Sequence, residues 1–130
     1  MANPLPSRME TGLVGELLVQ LRLLEFGVQA APPIRDTGND LVALRGYQVR
    51  LVQVKSTWTT MVQVRGLPDK YNLLAVVFLK KDGDGFKLDD SSVHLISRHQ
   101  LNALGRSLSP AKLAGFRISQ AQVDSLFPFD

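Results

Sequence analysis

Asp40, Gln53 and Lys55 are polar interruptions in a stretch, Asn39 to Lys55, that otherwise consists of two apolar, β-branched runs about Gly46-Tyr47. That pattern predicts a β-hairpin, and glycine at the first central position of a two-residue loop suits a type II′ turn. Pairing Arg45 with Gln48 and counting outward sets Asp40 opposite Gln53. Directly opposed residues share a face of a sheet, and Lys55 joins that face because side chains repeat every second residue. A carboxylate, an amide and an ammonium then converge at one end of an apolar hairpin. Oxygens from Asp40 and from the Gln53 amide suit a hard cation such as Mg2+ or Mn2+, and the main-chain carbonyl of Val54 offers one more. Lys55 is placed to orient or deprotonate an attacking water and to stabilise charge building on phosphorus. A cation would polarise the phosphoryl oxygen and lower the pKa of its water. These parts describe metal-assisted hydrolysis of a phosphodiester. The plainer alternative is a strand end that emerges into water.

The fourth member, Glu16, comes from the first helix. Ser7-Arg8-Met9-Glu10 fits a capping box with Ser7 as N-cap. Leu13, Val14, Leu17, Leu18, Leu21 and Leu24 then recur at helical spacing, which predicts a buried face on a helix from Arg8 to about Phe26, stopped by Gly27. Glu16 borders that stripe, just after Gly12 and Gly15. Read alone it is a boundary residue whose stem covers apolar surface while its head stays wet.

The rest of the chain supplies strands and short helices. Val28–Ala31 reads as a short strand closed by Pro32-Pro33. The second hairpin strand is apolar on both faces, which predicts a central position. The segment 57–64 is ambiguous, and Leu73–Leu79 is a continuous apolar run expected to be a buried strand. Lys80–Gly85 reads as an exposed turn, Asp89-Asp90 as a solvated loop, and Val93–Ile96 as a strand. Ser97 caps a helix through Leu104, Ser109-Pro110 starts another, and Ser119 a last one through Phe127. The layout is one α/β (α+β) domain over residues 1–130, with residues 1–7 flexible and short helices over 97–130.

Composition narrows the class. With 130 residues, 45% hydrophobic and 21% charged, the chain is globular. It has no cysteine, which excludes disulfides and thiolate metal sites and suits a cytoplasmic setting. Met1–Pro6 lacks the basic and apolar regions of a signal peptide, and no apolar run approaches the roughly 18 residues of a membrane span. A net charge of +3 and a pI near 9.5 favour an anionic partner weakly, because the fifteen Lys and Arg residues are scattered. Phosphate-loop, dinucleotide, zinc-protease and nucleophile-elbow motifs are absent. His94 and His99 read as structural or surface residues.

Gly15-Glu16 on the first helix, then Asn39-Asp40-Leu41-Val42, then Val52-Gln53-Val54-Lys55-Ser56-Thr57 resemble the PD-(D/E)XK nuclease superfamily, in its small resolvase-like branch. The likeness covers about residues 9 to 57. It implies a restriction-endonuclease-like αβββαβ core, a mixed central sheet flanked by helices. It further implies that Asp40 is the central metal ligand, Lys55 the catalytic lysine and Glu16 the helix-borne acid that supports the metal. Two positions depart from the pattern: Gln53 stands where most members have Glu or Asp, and Asn39 replaces the proline. A neutral amide still offers an oxygen, with one negative charge fewer for the cation.

The function implied is a Mg2+-dependent (or Mn2+-dependent) DNA endonuclease, cytoplasmic and homodimeric. The alternative is a catalytically weak or inactive nucleic-acid-binding or assembly subunit of the same fold, which Gln53 favours. A third reading is an unrelated α/β domain in which all four residues are surface polar groups. Arg35, Ser56 and Trp58 flank the site as candidate contacts to the phosphate backbone. Trp58 and the Phe127-Pro128-Phe129 tail are either a dimer surface or core packing.

Overall fold

The computed structural model describes residues 7–35 and 38–128; the expected flexible stretch 1–7 lies, apart from Ser7, outside them. In chain order the elements are α1 (Ser7–Glu25), β1 (Gln29–Ala31), β2 (Leu41–Arg45), β3 (Gln48–Thr57), β4 (Val62–Gln63), β5 (Leu73–Asp82), β6 (Gly85–Ser97), α2 (Arg98–Leu104), β7 (Ser107–Leu108), a 3₁₀ turn at Ala114–Phe116 and α3 (Gln120–Leu126). Five strands form one mixed sheet in the order β1-β2-β3-β5-β6, while β4 and β7 make a small antiparallel pair. Within the large sheet β3 and β5 run parallel and the other neighbours antiparallel. The fold is mixed α/β, a sheet with helices packed on it.

The hairpin forms in the register its turn dictates. Arg45 pairs with Gln48 and Leu41 with Val52. Gly46 has φ +58° and no described non-glycine residue has a positive φ, so Tyr47 keeps a negative one, the type II′ combination. The ladder ends at Leu41 and Val52, and Asp40 lies one residue beyond it.

The sheet is covered on both sides, which explains the unbroken apolar run in β5, where Leu73 to Leu79 are all buried. On one side Leu18, Val19 and Leu23 of α1 and Val123 of α3, followed by Phe127, pack on Leu41, Val52, Ala75 and Val77. On the other, Val62, Leu101, Leu108 and Leu113 close over Leu74, Val76 and Ile96. The crossover from β3 to its parallel neighbour β5 carries β4 and loops, and α2 follows β6 instead of preceding the fourth sheet strand.

α1 does not use its leucine stripe as expected. Leu18 is buried and Val14 packs on the core, but Leu13, Leu17, Leu21 and Leu24 are 47%, 55%, 48% and 60% exposed. The helix instead turns Thr11, Gly15, Val19 and Leu23 inward. Gly15 explains the choice: a Cβ built there would lie 1.7 Å from Ser56 Oγ and 2.6 Å from its Cβ. The bare helix backbone meets β3 at van der Waals distance, and this approach sets which face is inward.

Other expectations are corrected by long-range pairing. Lys80–Gly85, read as a turn, and Asp89-Asp90, read as a loop, fall mostly in strand, because β5 and β6 continue to a tight turn where Asp82 pairs with Gly85 and Gly83 has φ +59°. No α-helix forms at Ser109-Pro110. Ser97 does close a capping box with Gln100 at the head of α2, and Ser119 caps α3 by accepting from the Gln122 amide. Phe127 is fully buried, so it is core and not a dimer surface. Its carbonyl accepts from Arg45 Nη1 at 3.0 Å, and that of Leu126 accepts from Arg50 Nε at 3.2 Å. Arg45 also pairs with Asp124 at 2.7 Å, so two cations meet the carboxyl end of α3, where the helix dipole favours them.

A methyl group at Gly15 must push α1 off β3. The steric cost, about 1–3 kcal/mol, outweighs the roughly 1 kcal/mol that alanine offers over glycine inside a helix. Gly15→Ala is therefore expected to lower the midpoint of urea unfolding, whereas Leu17→Ala, on the exposed stripe, changes stability by no more than about 0.5 kcal/mol.

Candidate functional site

The contact at Gly15 delivers its neighbour, Glu16, to the end of the hairpin. There the Glu16 carboxyl is in hydrogen-bonding contact with that of Asp40. Burial, then the negative charge of Asp40, then the hydrogen bond between them raise the Glu16 pKa above its ordinary value. Two carboxyls in one site favour holding a single proton between them.

Asp40 precedes β2 by one residue, and its side chain takes the place of the next rung of the ladder. Its Oδ2 accepts from the main-chain N–H of Val54 at 2.8 Å. In an antiparallel pair the N–H and C=O of one residue point to the same partner, so the Val54 carbonyl projects to the side on which Asp40 lies. Gln53 is 6% exposed, and its Nε2 donates to the Gly38 carbonyl at 2.7 Å. A carbonyl only accepts, so the nitrogen faces Gly38 and Oε1 is the atom left for any ligand. Lys55 lies half-buried one side-chain repeat along β3, beside Val76 of β5. No ion pair among the described residues holds it.

Of the four residues singled out by spacing, Glu16 and Asp40 meet beside the Val54 main chain, while Gln53 and Lys55 follow one another on the face of β3 away from α1. Of the flanking residues, Ser56 is corrected. Its hydroxyl is buried beneath α1 against Gly15, on the opposite face from Gln53 and Lys55, and has no hydrogen-bond partner; it is not free to meet a phosphate. Trp58 is half-exposed just past β3, with Lys81 Nζ 4.6 Å from its ring centroid. Arg35 is exposed. The residue missed from sequence is Asn39, also 6% exposed. Its Nδ2 donates to the Lys70 carbonyl at 2.9 Å, and its Oδ1 is buried without a partner. Nothing in the spacing distinguishes it from an ordinary turn asparagine.

His94 is a structural residue. Its Nδ1 lies 2.8 Å from the Leu113 carbonyl and its Nε2 2.9 Å from Ser92 Oγ, and burial lowers its pKa. His99 is exposed on α2.

Among the described residues no three His, Asp or Glu side chains cluster as a metal site. The donor set at the hairpin is two carboxyls, a main-chain carbonyl and an amide oxygen, all hard ligands. Such a set fits Mg2+ or Mn2+ that keeps several of its own waters.

No family model and no curated protein matches the chain. Among solved structures it is similar to the bacterial homing endonuclease I-Ssp6803I, with a TM-score of 0.65 and 17% identity over 94% of this chain and 93% of that one. The chain shares the overall fold of that endonuclease. At this identity the likeness is one of architecture, and it covers nearly the whole of both chains. No helix among the described residues is long and apolar enough to cross a membrane.

A carboxyl whose pKa is raised by folding stabilises the protein when protonated. That contribution is full below the unfolded value of 4.5 and is lost as pH rises through the higher folded value. Glu16→Gln, a permanent mimic of the protonated acid, is therefore expected to raise the metal-free melting temperature at pH 7–8 and to leave it nearly unchanged near pH 4. Melting curves of both proteins across that range, in chelator, test the assignment.

Proposed function

We propose that this protein is a metal-dependent DNA endonuclease of the PD-(D/E)XK type. The observation that carries the reading is the contact between the Glu16 and Asp40 carboxyls at the end of the strand that presents Lys55. Asp40, Glu16 and the Val54 carbonyl would hold Mg2+ or Mn2+, with Gln53 beside them. The chemistry such a cation supplies is Lewis acidity at a phosphoryl oxygen and activation of a water.

The chain's own residues do the rest. Lys55, on the same sheet face as Gln53, orients or deprotonates the water and offsets negative charge as it builds on phosphorus. Glu16 and Asp40 keep a local negative potential that attracts the cation and holds it beside β3. Trp58 and Arg35 are candidate contacts to the sugar-phosphate backbone, where they would fix register without reading sequence. The net charge of +3 supports a polyanionic partner. The same proposal includes a homodimer, so that two sites meet two strands, and a cytoplasmic setting.

A second reading keeps DNA binding and removes the cutting. It is favoured by Gln53, whose amide nitrogen is engaged by Gly38 and whose neutral oxygen contributes no charge to the cation. The two readings separate on plasmid or branched DNA with Mg2+ or Mn2+. On the first, the wild type nicks DNA, and Lys55→Ala or Asp40→Asn lowers the rate by about 10²–10⁴-fold with the melting temperature little changed. Nicking that survives Lys55→Ala removes the mechanism, and binding without cutting under either metal leaves the second reading.

A further inference from the structure

The two departures from the nuclease pattern, Gln53 for an acid and Asn39 for proline, are both side-chain amides, and both donate to main-chain carbonyls around the segment that bears Asp40. Gln53 Nε2 reaches back from β3 to the Gly38 carbonyl at 2.7 Å. Asn39 Nδ2 reaches across to the Lys70 carbonyl at 2.9 Å. Each of the two residues is only 6% exposed, so each donates from a side chain largely withdrawn from water, where losing its acceptor is costly.

The far ends of both bonds are rigid. Gln53 sits in the sheet, paired beside Leu74. The segment holding Lys70 is tied to β3 through Asn72, whose Oδ1 accepts from the Leu51 N–H at 2.7 Å and whose N–H donates to the Leu51 carbonyl at 2.9 Å. Arg98 holds the same segment through its Nη1 bond to the Asp69 carbonyl and lies over the Tyr71 ring. Between the two amides Gly38 takes φ +85°, and a Cβ there would already touch Pro68 at 3.4 Å.

We propose that Asn39 and Gln53 form an amide clamp that fixes the backbone of Asp40, and that Gln53 acts at this site through its nitrogen and not as a metal ligand through its oxygen. Gln53 is a positioning residue in this scheme. The clamp explains why the two departures occur together. A carboxylate at position 53 has no proton to give and would set its charge against the Gly38 carbonyl. A proline at position 39 has no side-chain donor. Restoring the family's residues therefore dismantles the support of Asp40 and does not improve the site.

The proposal rests on the metal-dependent reading above, and two measurements keep their failures apart. Calorimetric titration with Mn2+ alone compares wild type, Gln53→Glu and Gln53→Met; amide hydrogen exchange of the metal-free proteins, with Asn39→Ala added, reports the backbone from Gly38 to Leu41. The clamp predicts that Gln53→Glu and Gln53→Met both weaken Mn2+ binding about tenfold or more, as loss of an outer-shell partner does. It also predicts that the Gln53 and Asn39 variants all exchange faster over residues 38–41. Tighter Mn2+ binding by Gln53→Glu makes the amide oxygen a ligand and overturns the proposal. So does wild-type exchange over residues 38–41 in Gln53→Met and Asn39→Ala. A wild type that binds no Mn2+ overturns the metal reading instead, and the exchange data then decide the clamp alone.

Discussion

Everything at the candidate site depends on how closely one helix lies on one strand. α1 meets β3 with no side chain between them at Gly15, where even a methyl group has no room beside Ser56. Packed interiors do not compress, so this contact acts as a fixed length in the structure. It decides which face of α1 is inward and leaves four leucines on the outside. It also decides where Glu16 goes, since that residue is one step along the helix from the contact. A helix held an ångström or two further out would keep its fold and lose the meeting of Glu16 with Asp40.

That meeting is electrostatically unfavourable by itself. Burial and the neighbouring charge both favour the proton on Glu16, and the protein tolerates this because the surrounding core is extensive. Functional sites are where such local conflicts are expected, since consistent packing elsewhere supports them. The departures at positions 39 and 53 fit the same view. An additional acid at position 53 would bring a third negative charge into a place already short of positive charge, whereas an amide adds a donor and no charge.

Much of this was legible in the sequence because it follows from local chemistry. The hairpin register came from Gly46-Tyr47 and from counting by twos, and the structure keeps it residue for residue. Ser97 and Ser119 marked their helices because capping is settled within four residues. What escaped were features fixed at a distance. Periodicity located a leucine stripe on α1 but could not say that a glycine face would outcompete it, because that depends on Ser56, far along the chain in a different element. The strand character of residues 80–92 comes from pairing across a long hairpin and not from apolar alternation. The bond from Gln53 to the Gly38 carbonyl could not be read from spacing, because it depends on where the loop before β2 lies, and the burial of Ser56 under α1 could not either, although alternation on a strand does put it on the other face from Lys55.

The guanidinium of Arg45 adds a matter of timing. Arg45 is 7% exposed, and its described partners are Asp124 and the carbonyl of Phe127, the latter 82 residues further along the chain. A buried charge without its partners is strongly unfavourable. While the chain is being made, amino terminus first at about 5–20 residues per second, the hairpin that bears Asp40 and Lys55 must wait several seconds for α3 to emerge. Until then Arg45 has nowhere dry to lie. The turn end of the hairpin is therefore completed only once α3 and Phe127 are available to it.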